Sequence, residues 1–176
     1  MAIETLRPNA AGDETSIPYQ SPASTAHWDK VDEAVADDST TFLYEGTSTH
    51  RDLYNLPASS GSGTINFIKI YIRCESSGEV LRDAYPSLKS GSTVTDGTKI
   101  DLTSSWVTYS EQWSINPDDS AAWEWADIDA LQIGVKLTGG RGDTASCTQV
   151  YVEVDYTEQT RHPRHAFVNF QGPGIF

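Results

Sequence analysis

Apolar and polar residues alternate with a period of two along much of this chain. In "INFIKIYIRCE", Ile68, Ile70, Ile72 and Cys74 share one face, and Lys69, Tyr71, Arg73 and Glu75 share the other. In "LQIGVKL", Leu131, Ile133, Val135 and Leu137 oppose Gln132, Gly134 and Lys136. In "TQVYVEVDY", Val150, Val152, Val154 and Tyr156 oppose Gln149, Tyr151, Glu153 and Asp155. Successive side chains of a strand leave on opposite sides, so each segment reads as a strand with one face in a core. "WVTYSEQWSI" repeats the pattern with Val107, Tyr109, Trp113 and Ile115, and "TTFLYEG" and "GEVLRDAY" are shorter candidates.

The connections between these runs are rich in Gly and Ser. Ser77-Gly78 and Asp96-Gly97 read as tight hairpins, because glycine supplies the positive φ such turns need. "TGGRGDTAS" reads as a looser turn between two strands, and "NPDDSAAWEWADIDAL" as a helical turn with Asn116 or Asp118 as its N-cap. Together they predict an all-β fold: an antiparallel two-sheet sandwich, jelly-roll-like, with extended terminal arms. The boundaries are an N-terminal arm over 1–20, a β-sandwich domain over 21–157 and an extended C-terminal tail over 158–176. Cys74 falls on the inward face of its strand and Cys147, sharing parity with Gln149 and Tyr151, on the outward face. Unless a bulge intervenes, the two thiols point apart and stay free.

Charge narrows the partners. With 12 Lys+Arg against 25 Asp+Glu, the formal net charge is −13, which disfavours nucleic acid and anionic membranes. The N-terminus lacks a basic segment followed by an apolar run, and no stretch approaches the roughly 20 apolar residues that span a bilayer. Both features predict a protein made in a cytoplasm.

Catalytic motifs are sparse: no nucleophile elbow, no zinc-protease motif and no glycine-rich phosphate loop occurs, so no catalytic residue, metal or cofactor is predicted. His27, His50, His162 and His165 read as loop or tail histidines. Asp127 and Asp129 are a carboxylate pair of the kind a glycosidase uses, without an evident cleft. Asp29, Asp32, Glu33, Asp37 and Asp38 read as a solvated acidic loop in preference to a Ca²⁺ site, since the usual ligand spacing is missing. Arg141-Gly142-Asp143 spells an adhesive tripeptide, but a turn favours the same residues. Tyr71 and Tyr151 lie on outward faces among polar neighbours. Such aromatics either stack on a sugar ring, as a glycan platform, or are buried by another subunit.

The segments "LRPNAAGDET", "HWDKVDEAVADDSTTFLY", "DLYNLP", "AAWEWADIDALQIGVKLTGG" and "CTQVYVEVDY" resemble a β-sandwich domain that recurs in tailed-phage structural proteins, one that is also similar to carbohydrate-binding jelly rolls. The tail lies outside this resemblance. Pro163 and Pro173 keep it from being a helix or a central strand, yet it carries Phe167, Val168, Phe170, Ile175 and Phe176, each worth roughly 1.5–3 kcal/mol when buried. With Arg161 and Arg164 to orient them, these residues are predicted to dock on neighbouring subunits. The leading expectation is a non-enzymatic virion structural protein, a capsid decoration or head/tail accessory, homo-oligomeric, assembled in the host cytoplasm against other capsid or tail subunits. The alternative is a carbohydrate-binding jelly-roll module.

Overall fold

The computed structural model describes residues 1–24 and 26–159. Twelve strands make two six-stranded sheets: β1 Ala2–Leu6, β2 Ala10–Thr15, β3 Tyr19–Ser21, β4 Phe42–Glu45, β5 Thr49–Asn55, β6 Thr64–Ser77, β7 Asp83–Ser90, β8 Thr93–Asp96, β9 Ile100–Asp101, β10 Val107–Trp113, β11 Gln132–Thr138 and β12 Thr144–Thr157. A short helix, α1 (Trp125–Asp129), precedes β11. The first sheet runs β10-β6-β12-β4-β3, with β1 also paired to β12. The second runs β2-β5-β11-β7-β8, with β9 also on β7. All pairings are antiparallel. The molecule is thus an all-β, two-sheet jelly-roll sandwich.

The inward faces are those that alternation predicts. Ile68, Ile70, Ile72 and Cys74 of β6, Val150, Val152 and Val154 of β12, and Ile133, Val135 and Leu137 of β11 are all fully buried. At roughly 1.5–3 kcal/mol per large apolar side chain, this interior drives the sheets together. Trp123 is in the core, and Trp28, Trp113 and Trp125 pack against it half-buried.

The connections differ from expectation. Neither Ser77-Gly78 nor Asp96-Gly97 is a hairpin: the first carries the chain from β6 to β7 in the other sheet, and the second joins two strands that both pair with β7. The run "TGGRGDTAS" likewise crosses between sheets. Residues 1–20 are no arm, since β1 pairs with β12, β2 with β5 and β3 with β4. "GEVLRDAY" becomes a strand only from Asp83. The helical turn starts later than predicted. Its N-cap is Glu124, whose amide donates to Asp127 Oδ2 at 2.8 Å, while Asn116 turns the preceding loop by accepting Asp118 N at 3.0 Å.

A bulge between Cys147 and Gln149 interrupts the β12–β6 ladder. It inverts the face of everything before it, so Cys147 lies directly opposite Cys74, and both are buried free thiols. The exception allowed for in the parity argument is the one that operates.

Candidate functional site

Buried carboxylates brace the sandwich. Asp52 is fully buried on β5, with Oδ1 accepting the Ser16 and Ile17 amides at 2.7 and 2.8 Å and Oδ2 2.6 Å from His27 Nδ1. Glu45, also fully buried, accepts the Thr47 and Ser48 amides at 2.7 and 3.0 Å and pairs with His50 Nδ1. His50 is on a strand, not in a loop, and both histidines are partners of interior carboxylates. Burial alone would raise the Glu45 carboxyl, but the Thr47, His50 and Ser48 donors outweigh it and hold its pKa down at about 2.

Several of the other candidate acids are also engaged, although Glu33 Oε2 is buried without a hydrogen-bond partner among the described residues. Asp127 caps α1, and Asp129 Oδ1 accepts the amide and hydroxyl of Ser59 at 2.8 and 2.7 Å. In the acidic loop Asp38 grips Arg73 through both oxygens at 2.5 and 2.9 Å, and Thr41 Oγ1 lies 2.6 Å from Glu33 and about 3 Å from Asp37. Among the described residues no group of three His, Cys, Asp or Glu is placed to hold a metal ion. Asp143 of the Arg-Gly-Asp turn faces inward, accepting the Glu79 amide and Arg82 Nη2, each at 2.8 Å. Gly78, at φ +118°, makes room for it, since a Cβ there would meet Asp143 Oδ1 at 2.1 Å. An acid so committed is not displayed for adhesion.

Tyr71 and Tyr151 do point outward, as direct cross-strand partners. Their rings stack on one another, with centroids 4.6 Å apart and 6° between planes. The Arg7 guanidinium sits 4.7 Å over Tyr151, and the Lys69 ammonium 5.2 Å over Tyr71. The Tyr71 hydroxyl donates to Glu153 at 2.8 Å. Cation, ring, ring and cation close the row, which leaves little free ring face for a sugar. The docking residues Arg161, Arg164, Phe167, Val168, Phe170, Ile175 and Phe176 lie outside the described residues.

A different part of the same sheet face carries an open aromatic wall. Leu43 is buried inward, so alternation turns Phe42 and Tyr44 outward on β4. Tyr44 stacks on Tyr19 of β3 (5.1 Å, 17°), Phe42 is tilted against Tyr44 at 5.8 Å, and Trp106 meets Phe42 edge-on at 6.1 Å. These four rings form a continuous run. Tyr19 belongs to the strand beyond β4, so the Tyr44 face it leaves free is the one toward β12. There the register aligns Tyr44, Ser146 and Glu75 across β4, β12 and β6. Small Ser146 between two larger side chains leaves a cavity of about 330 Å³, lined by Gln20, Ser21, Phe42, Tyr44, Glu75, Ser77, Thr144 and Ser146. The Glu75 carboxylate makes no hydrogen bond or ion pair among the described residues. Burial, with Asp38 nearby, raises its pKa.

The remaining surface offers less. A second hollow of about 430 Å³ at the far end is lined by Gly63, Thr64, Thr157, Glu158 and Gln159, without an aromatic ring. On the outer face of the second sheet Arg51 is shared by Glu14 and Asp96, and Lys136 pairs with Asp96 at 2.5 Å.

No family model matches the chain, and no curated protein matches it. Solved structures resemble it at low identity, with TM-scores below 0.5. A CBM4 structure is 14% identical with a TM-score of 0.43, over 70% of this chain and 90% of its own. The CBM22-1 and GH10 modules of a Clostridium thermocellum endo-1,4-β-D-xylanase, complexed with xylohexaose, are 8% identical with a TM-score of 0.47, over 76% of this chain and 25% of theirs. The enzymatically active domain of tailspike protein 4 of bacteriophage CBA120 is 8% identical with a TM-score of 0.43, over 88% of this chain and 19% of its own. These structures correct the expectation of a virion decoration or head/tail accessory protein. Of eight such structures, seven contain a carbohydrate- or cellulose-binding module, and the eighth is the tailspike's enzymatic domain.

Proposed function

We propose that this domain is a non-catalytic glycan-binding module whose site is the cavity over Ser146. One observation carries the reading: an outward aromatic run, Tyr19–Tyr44–Phe42–Trp106, stands beside a hollow floored by hydroxyls and one unpartnered carboxylate. Sugars present apolar C–H faces and a rim of hydroxyls. An aromatic wall matches the first, and Gln20, Ser21, Glu75, Ser77, Thr144 and Ser146 match the second. Tyr44 supplies the stacking face, and Phe42 holds it upright against Trp106.

Affinity electrophoresis and calorimetry with a panel of soluble polysaccharides test this reading. Tyr44→Ala and Phe42→Ala are each expected to weaken binding by roughly 30-fold, the loss typical of a central aromatic anchor. Tyr71→Ala, whose ring is already covered, is expected to leave binding within about twofold. Retention of all glycan affinity in Tyr44→Ala would remove the site.

A further inference from the structure

The electrostatics of the cavity bear on which glycans it takes. Among the described residues no Lys, Arg or His lines it, and its one charged group there is Glu75. Arg73, two residues along the same face of β6, is held by both oxygens of Asp38 and is not available to Glu75. The surroundings add negative charge: Asp38 is close enough to perturb Glu75, and the chain as a whole carries −13. A uronic or sulfated sugar would bring a further anion to a carboxylate that already lacks a counter-charge. A ligand that brings a cation would supply what is missing. Charge-assisted hydrogen bonds are roughly twice as strong as neutral ones, and an aromatic wall also attracts a cation. Glu75 and Tyr44 stand two strand spacings apart, about 10 Å, with only Ser146 between them. One sugar ring fits that interval, stacked on Tyr44 with a substituent directed at Glu75.

We propose that the cavity recognises a 2-amino-2-deoxy sugar in its protonated, unacetylated form, with its ammonium group on Glu75 and its ring on Tyr44. This inference rests on the glycan-binding reading and narrows it to one substrate class.

The test is calorimetry of the full chain against four probes: a fully deacetylated glucosamine oligomer, its N-acetylated counterpart, a neutral β-glucan oligomer and a lysine-containing peptide. Measurements are made where the sugar amine is protonated. The wild type is expected to bind the deacetylated oligomer at least about tenfold tighter than the acetylated one. Glu75→Gln is expected to abolish that preference while keeping Tyr44-dependent binding of the neutral oligomer, with an unchanged thermal transition showing that it folds. Equal wild-type affinity for the two glucosamine forms, or a preference that survives Glu75→Gln, overturns this inference and leaves the glycan reading standing. Binding of the lysine peptide as tightly as the amino sugar also overturns it, in favour of a peptide site. Absence of binding to every saccharide overturns both.

Discussion

Glu45 shows how one buried acid ties local structure to stability. Its carboxylate replaces water with two amides, the Thr47 hydroxyl and His50, and these hold its pKa at about 2 against an ordinary 4.5. A depressed folded-state pKa contributes stability that is present above the unfolded value and lost as pH falls through the folded one. The domain is therefore expected to lose stability between about pH 4.5 and 2. Glu45→Gln is expected to cost about 1–3 kcal/mol at neutral pH, because donors are left poorly matched, and to flatten the profile across that window. Urea melts at several pH values check both. Single residues also show the limits of reading a sequence. That Tyr71 faces outward follows from alternation, but that its ring is covered by Tyr151 and Lys69 does not. Phe42 and Tyr44 were within reach of the same rule, since Leu43 between them is the inward residue of "TTFLYEG". Glu75 is an outward polar residue like many others until the fold brings Ser146 and Tyr44 beside it.

Among the elements, β6, β11 and the part of β12 after its bulge were legible because each buries a regular series of apolar side chains on one face. The strands that escaped notice violate that rule. β5 puts Asp52 inward, where a carboxylate hydrogen-bonded to His27 and two backbone amides stands in for an apolar side chain. β2 is "AAGDET", which has no large apolar residue, and β3, β8 and β9 have four residues or fewer. Ser-Gly and Asp-Gly steps mark a change of direction, not which sheet comes next, so crossings were read as hairpins. The bulge is the sharpest case. Thr148 is the additional residue that turns Ala145 and Cys147 inward, and its hydroxyl donates to Thr41 O at 2.8 Å. Deleting Thr148 removes the bulge and sets Cys147 directly before Gln149, where regular alternation still turns Ala145 and Cys147 inward. The expected outcome is a variant that still unfolds cooperatively, destabilised by about 1–3 kcal/mol through the lost Thr148 hydrogen bonds to Asp37 and Thr41, with Cys147, fully buried in the intact fold, remaining unreactive toward a thiol reagent under native conditions. Thermal melts and thiol titration of the deletion variant read this directly.

At the scale of the molecule, β12 acts as an axis with different partners at its two ends. Near Tyr156 it pairs with β1, and near Ala145 with β4. Ala2 lies opposite Tyr156, so both described ends of the chain sit at one pole of the first sheet. The cavity beside Thr144 and Ser146 is at the other pole, roughly 40 Å away along the strand. The described ends and the aromatic wall therefore lie at opposite poles of the first sheet, a geometry suited to a module tethered at its N-terminus with its site at the other pole. This separation makes a prediction that no single residue makes. Protein immobilised through its N-terminus is expected to bind glycan with the same affinity as protein free in solution, within about twofold. Protein immobilised through a cysteine introduced at Ser77, which lines the cavity and is exposed, is expected to lose binding. The Cys74 and Cys147 thiols are buried and do not compete for the linker. Surface plasmon resonance in the two orientations measures both outcomes, and equal binding in both places the ligand elsewhere on the sandwich.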